Sequence, residues 1–209
     1  MDIEMQKGEN PFDEPTRKLR QADPIKVAQN GGARWEPDGP GAGCIVLPVL
    51  SGEARVAFPQ VEVEAPRPIG TFSIKLLSLL YLAGTDGEAP SGRWLAYREL
   101  PGGRFYEPVL RRSVEAPLAT RFGGDREGFI KACAGLGGKE EEFGDAACSL
   151  ELFPLVRVAV ILWLGDEEFP PRAQFLFDSN STRHLNAFDL RMGAQEISSL
   201  MMKAAGADA

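Results

Sequence analysis

ILWLGDEEFPPRAQFLFD, Ile161 to Asp178, sets two apolar runs on either side of a short stretch of glycine, acid and proline. Runs rich in aliphatic and aromatic residues, broken by turn formers, predict two antiparallel strands joined by a loop of several residues. Asp166, Glu167 and Glu168 then sit at the exposed tip of a hairpin. Asp178 closes the second strand, one strand length away, so the four carboxylates do not converge by sequence geometry alone. The alternating ligand spacing of a calcium loop is also missing. Just upstream, VRVAVILWLGD (156–166) is almost continuously apolar. That pattern predicts a central strand, covered on both faces.

Outward from the hairpin, the rest of the chain alternates in texture. ACSLELFP (147–154) reads as one more strand. PTRKLRQADPIKVAQNGG (15–32) reads as two short helices split at Asp23-Pro24 and closed by Gly31-Gly32. CIVLPVL, the turn SGE and ARVAFPQVEVEA (44–65) read as strands, with Pro48 and Pro59 implying edges or bulges because proline lacks a ladder donor. Thr71 caps a helix over Phe72 to Ala83 that is apolar nearly all round and is therefore expected to be buried on most faces. WLAYREL (94–100) reads as a strand with PGG as its turn. FYEPVLRRSVEAPLATRFGG and DREGFIKACAGLGG (105–138) read as short helices, each stopped by paired glycines. Asn186 with Asp189 opens a closing helix that runs to about Lys203. Strict strand–helix alternation is absent. The expected fold is α+β, one domain over 16–204 with an antiparallel or mixed sheet and helices packed on it, after a flexible leader over 1–15.

The totals bound the function. A chain of 209 residues with net charge −7 is long enough for a sizeable core. Its field repels nucleic acid and anionic membranes, so neither is expected as a partner. Cys44, Cys133 and Cys148 are widely spaced and match no zinc, redox or iron–sulfur motif. They are expected to be separate small core thiols in a reducing cytoplasm. MDIEMQKGENPFDEP lacks the apolar stretch of a signal peptide. The longest apolar block, FSIKLLSLLYLAG, falls short of the roughly 20 residues that span a bilayer.

His184 is the single histidine, in DSNSTRH (178–184), a segment whose oxygens suit turns and helix caps or the rim of a polar pocket. One imidazole cannot build a multi-histidine zinc site, which leaves one histidine with carboxylates, and no serine stands in a nucleophile elbow. The glycine-rich PDGPGAG, RFGGD and GLGGKEEEFGD match neither a phosphate loop nor a dinucleotide fingerprint and read as turns and helix stops.

The most unusual local chemistry runs from Arg93 to Arg126. Every basic residue there is arginine: Arg93, Arg98, Arg104, Arg111, Arg112, Arg121 and Arg126. Trp94, Tyr97, Phe105 and Tyr106 are interleaved with them. Guanidinium forks bind carboxylates and phosphates through paired bonds and stack on rings. Arg93, Arg98, Arg104, Arg111 and Arg112 with Tyr97 and Tyr106 form the candidate anion-facing surface. The competing reading has Arg98 to Arg112 paired internally with Glu99, Glu107, Glu115 and more distant acids as structural salt bridges.

LLSLLYLAG, GRWLAYRELPGGRFYEP, PLATRFGGDREGF and GLGGKEEEFGDAACSLELFPLVRVAVILWLGDEEFPPRAQFLFD, in that order, resemble the bacterial and archaeal domain-of-unknown-function family 3786. The resemblance covers about Pro15 to Leu200, with RELPGG and GDEEFP its most specific phrases. It implies a compact cytosolic domain in an anaerobic metabolic setting, near iron–sulfur or corrinoid methyl-transfer proteins. It implies no reaction, and the scattered cysteines depart from the cysteine-rich segments joined to some relatives. The expected function is a non-enzymatic binding or accessory domain for an anionic small molecule, cofactor or redox partner. The alternatives are a metal-dependent enzyme using Asp166, Glu167, Glu168 or Asp178, and a module docking an iron–sulfur or corrinoid protein.

Overall fold

The opening stretch forms the expected hairpin. β8 (Val156–Trp163) and β9 (Arg172–Asp178) pair antiparallel from Val158 opposite Phe177 to Trp163 opposite Arg172. The acidic tip between them is exposed. The computed structural model describes residues 10–206. The expected leader, 1–15, lies outside that range up to residue 9; Asp13, Glu14 and Pro15 form the first turn of α1 (Asp13–Arg20).

The chain is α+β, with two antiparallel sheets. The first has the order β1 (Arg34–Pro37), β2 (Gly43–Val49), β3 (Gly52–Phe58), β4 (Glu62–Glu64). The second has the order β5 (Trp94–Ala96), β9, β8, β7 (Ala146–Phe153), β6 (Lys139–Glu140). β8 therefore lies in the middle of its sheet, as its unbroken apolar run requires. The two sheets meet where the Leu50 N–H donates to the Glu151 carbonyl, 3.1 Å. Pro48 is tolerated inside β2 because β1 begins at Arg34, opposite Val46, so among the described residues no β1 residue is paired with Pro48. Pro59 is in the turn after β3, outside the ladder.

α1 and α2 (Pro24–Asn30) flank the break at Asp23, whose carboxylate accepts the Ile25 N–H at 3.0 Å. α3 (Phe72–Gly84) is capped by the Thr71 hydroxyl, which accepts the Ile74 N–H at 3.1 Å. Ile74, Leu77, Leu79 and Tyr81 are buried, and the Tyr81 ring stacks on Phe153 with centroids 4.7 Å apart. Phe72, expected in the core, is 63% exposed. It stands at the first helical position, edge-on to Phe12 with ring centroids 5.1 Å apart.

WLAYREL is a strand only as far as Ala96. The Glu99 carboxylate accepts the Ala96 N–H at 2.7 Å and closes a 3-10 turn over Tyr97–Glu99. Gly102 follows with φ 79°, and a Cβ on Gly103 would lie 1.8 Å from the Tyr97 carbonyl oxygen, so the chain can fold back here only with glycine.

The next helical run is continuous but not uniform: α4 (Gly103–Leu110), a π-helical turn over Arg111–Glu115, then α5 (Ala116–Phe122). Pro117 has no N–H for the Ser113 carbonyl, and just ahead of it the Ala116 N–H reaches back five residues to the Arg111 carbonyl. α6 (Arg126–Gly135) follows, and α7 (Ala187–Gly206) closes the chain with Asn186 accepting the Asp189 N–H at 3.0 Å.

Cys133 on α6 and Cys148 on β7 are joined as a disulfide, with Cα atoms 6.4 Å apart. This corrects the expectation of three separate thiols. α6 packs across β7 and brings together residues whose sequence spacing gives no sign of pairing. Cys44 is free and partly buried. No helix among the described residues is long and apolar enough to cross a membrane.

Candidate functional site

β5 is three residues long, so the outer edge of β9 is bare beyond the pairing of Ala96 with Leu176. An unpaired strand edge needs other partners. The π-helical turn supplies one. It carries Glu115 to the edge, where its carboxylate accepts the Phe175 N–H at 2.9 Å. Between this edge, the 3-10 turn and α4 lies a polar cavity of about 70 Å³. Arg98, Arg111 and Arg172 line it, with Glu107, Glu115 and Gln174.

The electrostatics are mixed. Burial pushes the Glu115 carboxyl up, opposed by the Phe175 N–H and by the Arg111 and Arg172 guanidiniums. Arg111 pairs with Glu107 one helical turn back, 3.4 Å. Arg172 lies over the Trp163 ring, 5.1 Å from its centroid. Arg98 has no ion pair or side-chain hydrogen bond among the described residues. Of the acids expected to pair with the arginines, Glu99 serves the Ala96 N–H and Glu115 the Phe175 N–H. Only Glu107 pairs with one of the candidate arginines, Arg111.

Of the residues singled out in the sequence, Arg98, Arg111 and Tyr97 share this cavity. The Tyr97 hydroxyl donates to the Ala187 carbonyl at 2.6 Å, so its polar end is committed to the core. Arg93, Arg104 and Arg112 are exposed and lie outside the lining, without an ion pair among the described residues. Tyr106 packs between Phe105 and Phe188, with centroid distances of 4.9 and 5.7 Å. Arg121 and Arg126 are paired, with Asp125 at 3.5 Å and Glu140 at 2.8 Å. Arg172, Gln174 and Glu115 were missed as site residues. The first two come from the hairpin strand, and only its pairing with β5 brings them beside the arginine-rich segment.

The carboxylates of the opening stretch are not gathered. Asp166 turns inward on its own loop, accepting the Glu168 and Phe169 N–H groups at 2.8 and 2.7 Å, and these hold it below its ordinary pKa. Asp178, at the other end of β9, is fully buried. It accepts the N–H groups of Ser91, Gly92 and Asn180 at 2.9, 2.7 and 2.9 Å, and the Ser91 hydroxyl at 3.0 Å. Burial would raise this carboxyl, but those donors outweigh it and hold it low. Asp178 is thus a structural hub that pins the 86–93 loop to β9. Among the described residues no three His, Cys, Asp or Glu side chains come together as a metal site.

His184 is 3% exposed, with Nδ1 2.9 Å from the Thr85 hydroxyl and 3.9 Å from Asp86. Burial lowers its pKa, and Asp86, itself paired with Arg183, only partly offsets this. It serves the same loop as Asp178.

A family model described as Domain of unknown function (DUF3786) matches residues 23–198, and the chain belongs to that family. No curated protein matches the chain. No solved structure matches it either.

Proposed function

We propose that this domain binds a small anion, or the anionic end of a small molecule, between Arg98, Arg111 and Arg172. One observation carries the reading. Arg98, with no ion pair among the described residues, lines a polar cavity of about 70 Å³ with two further arginines, in a chain of net charge −7. Guanidinium forks suit carboxylate or phosphate oxygens in two-point contact. Pockets that enclose a drug-sized ligand run to roughly 300 Å³ or more. This one fits a single carboxylate or phosphate group, with any remainder of the ligand lying outside over β5 and α4. Its lining of guanidinium, carboxylate and amide groups favours binding over catalysis by a side-chain nucleophile.

Thermal melts with inorganic phosphate, sulfate, acetate and succinate test the reading. A ligand that binds the native state at 100 times its Kd adds about 2.7 kcal/mol of stability. At least one of these anions is expected to raise Tm for the wild type and not for Arg98→Ala. An equal rise in both proteins refutes the site.

A further inference from the structure

The hairpin tip is both acidic and aromatic, and it is held rigid. The Gly165 N–H donates to the Gly123 carbonyl at 3.0 Å, and the Asp166 N–H to the Phe169 carbonyl at 3.0 Å. With the Asp166 cap already described, these bonds present Phe169, 66% exposed, beside the solvated Glu167 and Glu168. An exposed aromatic ring on a hydrogen-bonded turn loses little entropy on docking.

A surface of opposite character lies at the N-terminal end of α7. Phe105 is 80% exposed and Phe188 44%, with Tyr106 packed edge-on between them. The Arg191 guanidinium covers Phe188 at 5.0 Å, and its buried Nε has no partner among the described residues. Arg104, exposed and without an ion pair among the described residues, adjoins Phe105. Arginine and aromatic residues are the types enriched where protein interfaces carry their binding energy.

The two surfaces cannot meet within one molecule. Phe188 packs on Tyr106 at the start of α7, while Arg121 donates to the Ala205 carbonyl at its end, 3.0 Å. Gly123, which anchors the hairpin tip, follows Arg121 by two residues. At a rise of about 1.5 Å per residue, Phe188 and Ala205 are about 25 Å apart. Tip and aromatic surface therefore sit at opposite ends of the same helix.

We propose that the Glu167–Phe169 tip of one copy docks on the Phe105–Tyr106–Phe188 surface of a second copy, Phe169 against the rings and Glu167 and Glu168 against Arg104 and Arg191. The occupant is a second copy because this chain itself supplies an exposed aromatic flanked by acids, complementary in charge and chemistry to the surface. The contact is head-to-tail, so each added copy leaves one tip and one surface open and assembly continues until a ring closes. The net charge of −7 opposes close approach of copies, so the association is weak.

Sedimentation velocity from micromolar to millimolar chain tests this, with a tip variant (Glu167→Gln with Phe169→Ala) and a surface variant (Arg104→Ala with Phe105→Ala). Wild type is expected to grow beyond dimer with concentration. Each variant alone is expected to stay monomeric. An equimolar mixture should recover dimer and nothing larger, because one intact tip then meets one intact surface. All altered side chains are exposed, and circular dichroism checks that both variants keep the fold. A wild type that stays monomeric throughout, or variants that assemble like wild type, overturns the proposal.

Discussion

Glu115 accepts the backbone N–H of Phe175 at 2.9 Å, joining the π-helical turn to the bare edge of β9 across 60 positions of sequence. The bond substitutes for the neighbour that a longer β5 would have supplied, and it forms one wall of the arginine cavity. Glu115→Ala leaves the Phe175 donor without its partner and is expected to cost about 1–3 kcal/mol in urea melts. Glu115→Gln keeps an acceptor and should cost less. It also removes a negative charge from the cavity, so anion binding should tighten. Weaker binding by Glu115→Gln would mean that the carboxylate positions the arginines.

Asp189 gives a pH signature. Burial pushes its carboxyl up to about 6, despite the Asn186 N–H that faces it at the helix start. Between the ordinary carboxylate range and about pH 6 the folded chain holds a proton that the unfolded chain has released. Stability from this group therefore falls as pH rises through that window. Asp189→Asn is expected to be more stable than wild type at pH 7, by about 1–3 kcal/mol, with the gain fading toward pH 4. A gain independent of pH would point to packing instead of charge.

Two adjacent leucines of α3 are expected to separate. Leu79 is 1% exposed and Leu80 only partly buried. Leu79→Ala should cost about 2–5 kcal/mol and Leu80→Ala distinctly less. Equal losses would mean that this helix is buried on both sides.

Cys133 and Cys148 close a loop of sequence separation 15. Alkylation of the denatured, unreduced protein should label Cys44 alone, and prior reduction should expose all three thiols. Closure of a loop of this size is worth about 3 kcal/mol, so Cys148→Ser should lower stability by an amount of that order. Labelling of all three thiols without reductant contradicts the bond.

The parts of the fold legible in the sequence were those specified by neighbouring residues. The hairpin followed from two apolar runs about one turn, the break before α2 from Asp23-Pro24, and the starts of α3 and α7 from the caps Thr71 and Asn186. What escaped depended on where particular side chains go, near in sequence as well as far. β5 stops at Ala96 because Glu99 turns the chain, a choice that local propensity does not reveal. Phe72 has the composition of a core residue and the position of a helix start. The arginine-rich segment is conspicuous in the sequence as a whole, yet of Arg93, Arg98, Arg104, Arg111 and Arg112 only Arg98 and Arg111 line the cavity. Arg172 joins them because antiparallel pairing of β9 with β5 brings the strand alongside.

Isothermal titration of inorganic phosphate and succinate into wild type, Arg98→Lys and Arg17→Lys at low and high salt tests the central claim most directly. Arg17 lies exposed on α1 and serves as the control. A two-point contact by the Arg98 fork predicts wild-type binding that weakens with salt, a clear loss in Arg98→Lys, and none in Arg17→Lys. Equal binding by wild type and Arg98→Lys, or no binding of either anion at low salt, would contradict it.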